Sequence, residues 1–185
     1  TSPSSVTTGS VTPATIPSVP LNVTATSTES QGAQVSWGVP LSDGGSPILN
    51  YTVTSMPGSI TATTTQTALS VAGLTNGVAY TFTVLATNLV GTGPVSAASN
   101  STTPAALPDA PTGITATAGD KQANVSWTEP SNNGSAITLY TVSIIPTGLI
   151  ATTTSTSISI QNLNNGTEYR FRIIASNNIG DSLPS

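Results

Sequence analysis

The sequence predicts an all-β chain folded as two β-sandwiches in tandem, and two observations predict it. First, the chain repeats itself. Trp37 returns as Trp127, Tyr51 as Tyr140, Leu74 as Leu163, Tyr80 as Tyr169, Asn88 as Asn177 and Gly91 as Gly180. A period of about 90 residues is a domain rather than a solenoid unit. Second, each copy consists of short stretches in which polar and apolar residues alternate, cut by Gly, Pro and Asn, as half-buried strands and their turns are.

Strands are expected at residues 20–26, 34–37, 48–55, 59–63, 68–71, 78–87 and 94–102 of the first copy. In the second they fall at 111–117, 123–127, 136–144, 149–153, 157–160 and 167–176. Seven strands at this spacing make a sandwich. Alternation is clearest in the long strands. Tyr80, Phe82, Val84 and Ala86 share one face, as do Tyr169, Phe171, Ile173 and Ala175. The opposite face carries Thr81 and Thr83 in one copy and Arg170 and Arg172 in the other, the latter read as solvated side chains rather than a ligand patch.

These strings resemble fibronectin type III domains, which are immunoglobulin-like sandwiches. Val35-Ser36-Trp37, Pro40, Ile48 and Tyr51-Thr52-Val53 are similar to the family's B and C strands. Residues 74–80 resemble its E–F corner, and 86–91 its F strand running into the F–G loop. Residues 163–169 and 175–180 repeat both marks. The resemblance implies structural roles for Trp37, Tyr80, Trp127 and Tyr169: a large ring filling a thin core, and a tyrosine whose hydroxyl pins the crossing between sheets. Some family members bind integrins through Arg-Gly-Asp in the F–G loop. Neither 88–94 nor 177–183 contains that tripeptide.

Composition narrows the function. Charged residues make up 5% of the chain, against roughly 25% in an average soluble domain. Ser and Thr, about a third of the residues, take their place. Three cations and a net charge of −4 exclude a nucleic-acid partner. No apolar run reaches the length of a membrane span. No signal peptide is visible, so the chain reads as processed or as part of something longer. Without His or Cys there is no imidazole, thiol nucleophile, disulfide or zinc ribbon. Glu29, Asp43, Asp109, Asp120, Glu129, Glu168 and Asp181 are scattered over loops and strand ends, and Lys121 sits in a turn beside Asp120. No catalytic, cofactor or metal site is expected; a weak calcium site at Asp109 or Asp120 is the one alternative. The low charge and Thr-rich β composition point to a secreted or cell-surface protein. Six Asn-X-Ser/Thr sequons stand at Asn22, Asn50, Asn100, Asn124, Asn133 and Asn165. They are glycan acceptors if the source organism glycosylates, and otherwise polar residues of the outer face.

The frame of the repeat is informative. Residues 5–20 match 96–111 without a gap, pairing Pro13 with Pro104, Ala14 with Ala105, Pro17 with Pro108 and Pro20 with Pro111. Residues 180–185 match 91–96. The expected organisation is therefore a G-strand-like donor segment and linker at 1–17, domain 1 at 18–104, a proline-rich linker at 105–110, and domain 2 at 111–185 without its own G strand. An open F strand at Tyr169, Phe171, Ile173 and Ala175 invites a partner strand. Ser5, Val6, Thr8, Ser10 and Val11 of a neighbouring copy would supply it by strand donation, giving a head-to-tail homopolymer. Val6 and Val11 have opposite parity, so a regular strand buries Val6, Thr8 and Ser10 but not Val11, unless a bulge intervenes. The alternatives are a spacer or adhesion segment of a longer array, with other surface proteins or glycans as partners, and an accessory module of a secreted carbohydrate-active enzyme.

Overall fold

The computed structural model describes residues 12–28 and 30–185. Its elements are all strands: β1 (Leu21–Thr28), β2 (Gly32–Gly38), β3 (Ile48–Met56), β4 (Thr61–Thr64), β5 (Ala68–Ala72), β6 (Thr81–Asn88), β7 (Thr112–Gly119), β8 (Gln122–Thr128), β9 (Leu139–Ile145), β10 (Leu149–Thr153), β11 (Ser157–Gln161) and β12 (Arg170–Ser176). They sort into two compact units, β1 to β6 and β7 to β12. Each unit stacks two three-stranded antiparallel sheets, β1-β2-β5 over β4-β3-β6 and β11-β8-β7 over β10-β9-β12.

The alternation read from the sequence produces the cores. In domain 1, Ala33, Val35 and Trp37 of β2 face Tyr51 and Val53 of β3 and Phe82, Val84 and Ala86 of β6, all buried. Trp37 stands edge-on to Tyr51, with ring centroids 5.4 Å apart. Trp127 meets Tyr140 in the same way at 5.2 Å. Edge-to-face pairs of this kind contribute beyond the area they bury. The indole Nε1 atoms of Trp37 and Trp127 and the Tyr140 hydroxyl are buried without a hydrogen-bond partner. Arg170 and Arg172 lie on the exposed face, and Arg170 pairs with Glu168 at 3.2 Å, with both side chains about four-fifths exposed. A pair that exposed adds little to stability.

One expected strand is not regular. Residues 94–102 form no ladder with β6; they pair with it as a ribbon that advances three residues for every two of the strand. Gly93, Ser96, Ser99 and Thr102 donate their N–H groups to the carbonyls of Ala86, Val84, Phe82 and Tyr80, each at 2.9 Å. Two strand residues span about 6.8 Å, so each triplet is compressed, as if a bulge recurred at every step. Its inward positions therefore recur every third residue: Gly93, Ser96 and Ser99 are buried while Pro94, Val95, Ala97 and Ala98 are exposed.

Burial raises the hydroxyl pKa of Tyr51 above its ordinary 10.0. It does the same for Tyr140, where the charge of Glu129 adds to the effect and the Trp127 indole opposes it. Both groups keep their protons to higher pH in the folded chain than in the unfolded one. Their contribution is therefore complete below about pH 10 and lost as pH rises through the folded-state values. Urea denaturation should show stability level through neutral pH and falling above about pH 10, with a shallower fall in Tyr140→Phe. At neutral pH that substitution should change stability by less than about 1 kcal/mol, because the buried hydroxyl has only the Trp127 indole beside it.

Candidate functional site

The site follows from how the outer edge of the long strand is satisfied. A ribbon in three-for-two register cannot offer its carbonyls to every N–H of β6. Serine hydroxyls take over. Ser96 Oγ accepts from Val84 N–H at 2.9 Å and Ser99 Oγ from Phe82 N–H at 3.0 Å. Each hydroxyl then donates to the carbonyl of the next residue in the ribbon, Ala97 at 2.8 Å and Asn100 at 2.7 Å. Each buried serine is thus both acceptor and donor, and no backbone group of Phe82 or Val84 is left open. Asn100 ties the ribbon to the other sheet. Its Oδ1 accepts from Ala25 N–H at 2.9 Å and its Nδ2 donates to Ala25 O at 2.8 Å.

Domain 2 begins the same arrangement. Ser182 and Ser185 donate their N–H groups to the carbonyls of Ala175 and Ile173, at 2.8 and 3.0 Å. Their hydroxyls accept from Ala175 N–H at 3.0 Å and Ile173 N–H at 2.9 Å. The expectation of a wholly open β12 edge is therefore corrected. Ile173 and Ala175 are already paired by the chain's own residues, because the hydroxyl ribbon starts at Ser182. Tyr169 and Phe171, the other two expected acceptor positions, are not paired by Ser182 or Ser185. By alternation the Phe171 N–H and C=O point the same way as those of Ile173, and no counterpart of Ser99 stands opposite them among the described residues. Phe171 is half-buried where its equivalent Phe82 is fully buried. Ala116, the counterpart of Ala25, is exposed. Between β7 and β12 lies a groove of about 240 Å³ lined by Ala116, Ala118, Gln122, Leu163, Tyr169 and Phe171. The expected donor residues Ser5, Val6, Thr8, Ser10 and Val11 lie outside the described residues.

The proline-rich segments read as spacers are packed onto the domains that follow them. Pro17, Pro20, Pro108 and Pro111 are buried. Asn88, at the end of β6, organises the first of these joints. Its Nδ2 donates to Thr15 O at 2.8 Å and Asp43 O at 2.7 Å, while its Oδ1 accepts from Val90 N–H at 2.9 Å and Gly91 N–H at 3.1 Å. Asn177 repeats this with Ala106 O at 2.8 Å, Asn132 O at 3.2 Å, Ile179 N–H at 2.8 Å and Gly180 N–H at 3.1 Å. Gly44 shows how close the segment lies: at φ +77°, an added Cβ would sit 2.2 Å from Thr15 O. The sequence marked Asn88 and Asn177 only as repeat positions, although their recurrence beside the loop glycines was the signal for a clamp.

The six sequon asparagines divide. Asn100 holds Ala25 as above. Asn165 accepts from Lys121 N–H at 2.9 Å and donates to Asp120 at 2.8 Å, joining two turns. Asn133, in the left-handed region at φ +49°, donates to Leu107 O at 2.8 Å and to Asp109 at 3.0 Å. Asp109 and Asp120, the calcium candidates, each accept one of these asparagine bonds. No cluster of three or more metal-ligating side chains occurs among the described residues. Asn22 and Asn124 are exposed and Asn50 is half-buried. At the E–F corner of domain 2, Tyr169 Oη accepts from Asn164 N–H at 3.0 Å.

The geometry defines a tandem of immunoglobulin-like sandwiches whose edges are completed by short polar ribbons. Residues 18–102 and 109–185 each match the model of the fibronectin type III domain, and the chain belongs to that family. Chitinase A1 of Niallia circulans is 32% identical over 177 residues, covering 90% of this chain and 24% of that protein. The human fibronectin type-III domain-containing protein 3A is 31% identical over 162 residues, 80% of this chain and 13% of its own length. The chain thus spans about a quarter or less of these curated relatives. The crystal structure of the chicken CNTN1 FN1-FN3 domains superposes with a TM-score of 0.54 at 21% identity, covering 91% of this chain and 64% of that one, a likeness of fold.

Replacing Asn177 by alanine leaves two backbone N–H groups and facing carbonyls without partners at a buried position. Thermal or urea denaturation should show a loss of about 2–4 kcal/mol. Asn177→Asp keeps the acceptor but turns an oxygen toward Ala106 O, so it should not rescue.

Proposed function

We propose that this chain is a non-catalytic structural link of an extracellular fibre or surface filament, strung head to tail by β-strand donation. Fibronectin type III domains are non-catalytic modules that occur in extracellular and secreted proteins, and no helix of the described residues is long and apolar enough to cross a membrane. The observation that supports the reading is the correspondence without a gap of residues 6–11 to residues 97–102, which complete the outer edge of β6 in domain 1. The clamped proline segments support it. Because residues 13–20 and 104–111 have equal length and are clamped alike at Thr15 and Ala106, a ribbon entering from a neighbouring copy and one entering from domain 1 would reach the next sandwich through the same number of residues.

In sedimentation velocity at rising concentration, the full chain should form a ladder of oligomers, and a chain starting at residue 13 should stay monomeric. Fibres from the shortened chain would remove the reading.

A second reading, an accessory segment of a secreted carbohydrate-active polypeptide, is favoured by one observation: the relative 32% identical over most of this chain is named a chitinase. Specific retention of the 185-residue chain in a glycan-binding screen would favour it over the first. In either setting, glycans on this extracellular chain belong on asparagines whose amides are free. Expression in a glycosylating host, followed by glycopeptide mapping, should find occupancy concentrated at Asn22, Asn50 and Asn124. It should be low at Asn100, Asn133 and Asn165, where a glycan would take the Nδ2 that holds Ala25, Leu107 or Asp120.

A further inference from the structure

We infer that the crossings from β4 to β5 and from β10 to β11 are acceptor sites for O-linked sugar, at Thr65 and Thr67 in domain 1 and at Thr154 and Ser155 in domain 2. The inference rests on the extracellular part of the reading above and is independent of strand donation.

The sequence repeats hydroxyls at one place in the fold. Residues 63–67 read Thr-Thr-Thr-Gln-Thr, and their counterparts 152–156 read Thr-Thr-Thr-Ser-Thr. Both runs leave an edge strand and cross to the other sheet of the same domain. Among the described residues β4 pairs with β3 alone and β10 with β9 alone, so no further strand lies outside them.

The local geometry is the same in both copies. Thr64 Oγ1 accepts from Gln66 N–H and Thr153 Oγ1 from Ser155 N–H, each at 3.1 Å. A turn of this kind spends one hydroxyl per crossing. The far end is pinned by tryptophan backbone: Trp37 N–H donates to Thr67 O and Trp127 N–H to Thr156 O, each at 3.0 Å. The hydroxyls of Thr65, Thr67, Thr154 and Ser155 are left on exposed residues and make no hydrogen bond among the described residues. Hydroxyls within the sheets differ. Thr24 is bonded to Ser36 at 2.9 Å and Thr115 to Ser126 at 2.8 Å, side by side across strands. A sugar there has to break the pair, whereas at the crossings it displaces only water.

The chemistry needs an accessible nucleophile on a held backbone. The hydroxyl oxygen bonds to the anomeric carbon of a phosphate-activated sugar, the bond from that carbon to the phosphate oxygen breaks, and the hydroxyl proton passes to a base of the transferase. The donor is a nucleotide- or lipid-phosphate-linked sugar, and the enzyme is a separate glycosyltransferase. Segments rich in Ser and Thr are acceptors of this chemistry in secreted chains. The position also gives the sugar a task. β4 and β10 carry no charge, and on β10 Leu149 and Ile150 are 58% and 67% exposed. An apolar edge with open N–H and C=O groups is a template for pairing with other chains. A hydrated sugar just beyond the strand blocks that approach without any charge.

The test incubates the folded 185-residue chain with a purified polypeptide N-acetylgalactosaminyltransferase and uridine-diphosphate N-acetylgalactosamine. Sites are mapped by electron-transfer mass spectrometry, with a mucin peptide as positive control. Thr65, Thr67, Thr154 and Ser155 should take up sugar about 5-fold faster or more than Thr24, Ser36, Thr115 and Ser126, each of which must give up a hydrogen bond. Equal uptake by the two sets, or none at the crossings while the control peptide is modified, would overturn the inference. The modified chain should also aggregate more slowly on heating, and an unchanged rate would remove the edge-guarding role. Recovery of the chain from the cytoplasm of its source would overturn the extracellular reading instead, while the preference among hydroxyls stays measurable on the purified chain.

Discussion

A strand through the middle of a thin sandwich must satisfy its backbone on both edges, and this constraint organises the rest of the chain. β6 and β12 meet it on one side with the regular ladders to β3 and β9. On the other side they meet it with serine hydroxyls. A hydroxyl that accepts from the strand and donates to its own neighbour's carbonyl replaces a ladder carbonyl without requiring the ribbon to be a strand. The replacement suits a chain poor in charge. Elsewhere, edges are blunted by lysines and inward charges; here there is one Lys, and an uncharged ribbon covers the edge instead.

The sandwich was legible in the sequence because its core obeys a period of two. Phe82, Val84, Ala86, Val35 and Trp37 lie where alternation puts them, and a second copy in register fixed the reading. The ribbon was not legible, because its period is three and its inward residues are small and polar. Ser96 and Ser99 carry no mark in the sequence, and 94–102 read as a strand. The sign was present in the spacing of Gly93, Ser96, Ser99 and Thr102 and again in Ser182 and Ser185, but period three is not part of the helix-or-strand choice. The clamps were hidden for a related reason. Asn88 and Asn177 act through a side-chain amide on distant carbonyls, a relation that no local pattern encodes. The sequons hid a second relation: Asn100, Asn133 and Asn165 fit an acceptor motif and also tie distant groups together.

The clamps change what the proline segments are for. Read from composition, 13–20 and 104–111 were stiff spacers between domains. With Pro17, Pro20, Pro108 and Pro111 buried and Thr15 or Ala106 held by an asparagine amide, the latter part of each segment is the leading edge of the sandwich behind it.

The ribbon's geometry also bears on how a covered edge differs from an open one. An ordinary edge strand offers a flat row of N–H and C=O groups to any comparable strand, and such contacts spread laterally without limit. A compressed ribbon does not. Its hydroxyls are consumed inward, its carbonyls at Ala97 and Asn100 are occupied by those hydroxyls, and its outward residues, Pro94, Val95, Ala97 and Ala98, present no ladder in register with another sheet. An edge covered in this way is closed to lateral strand pairing.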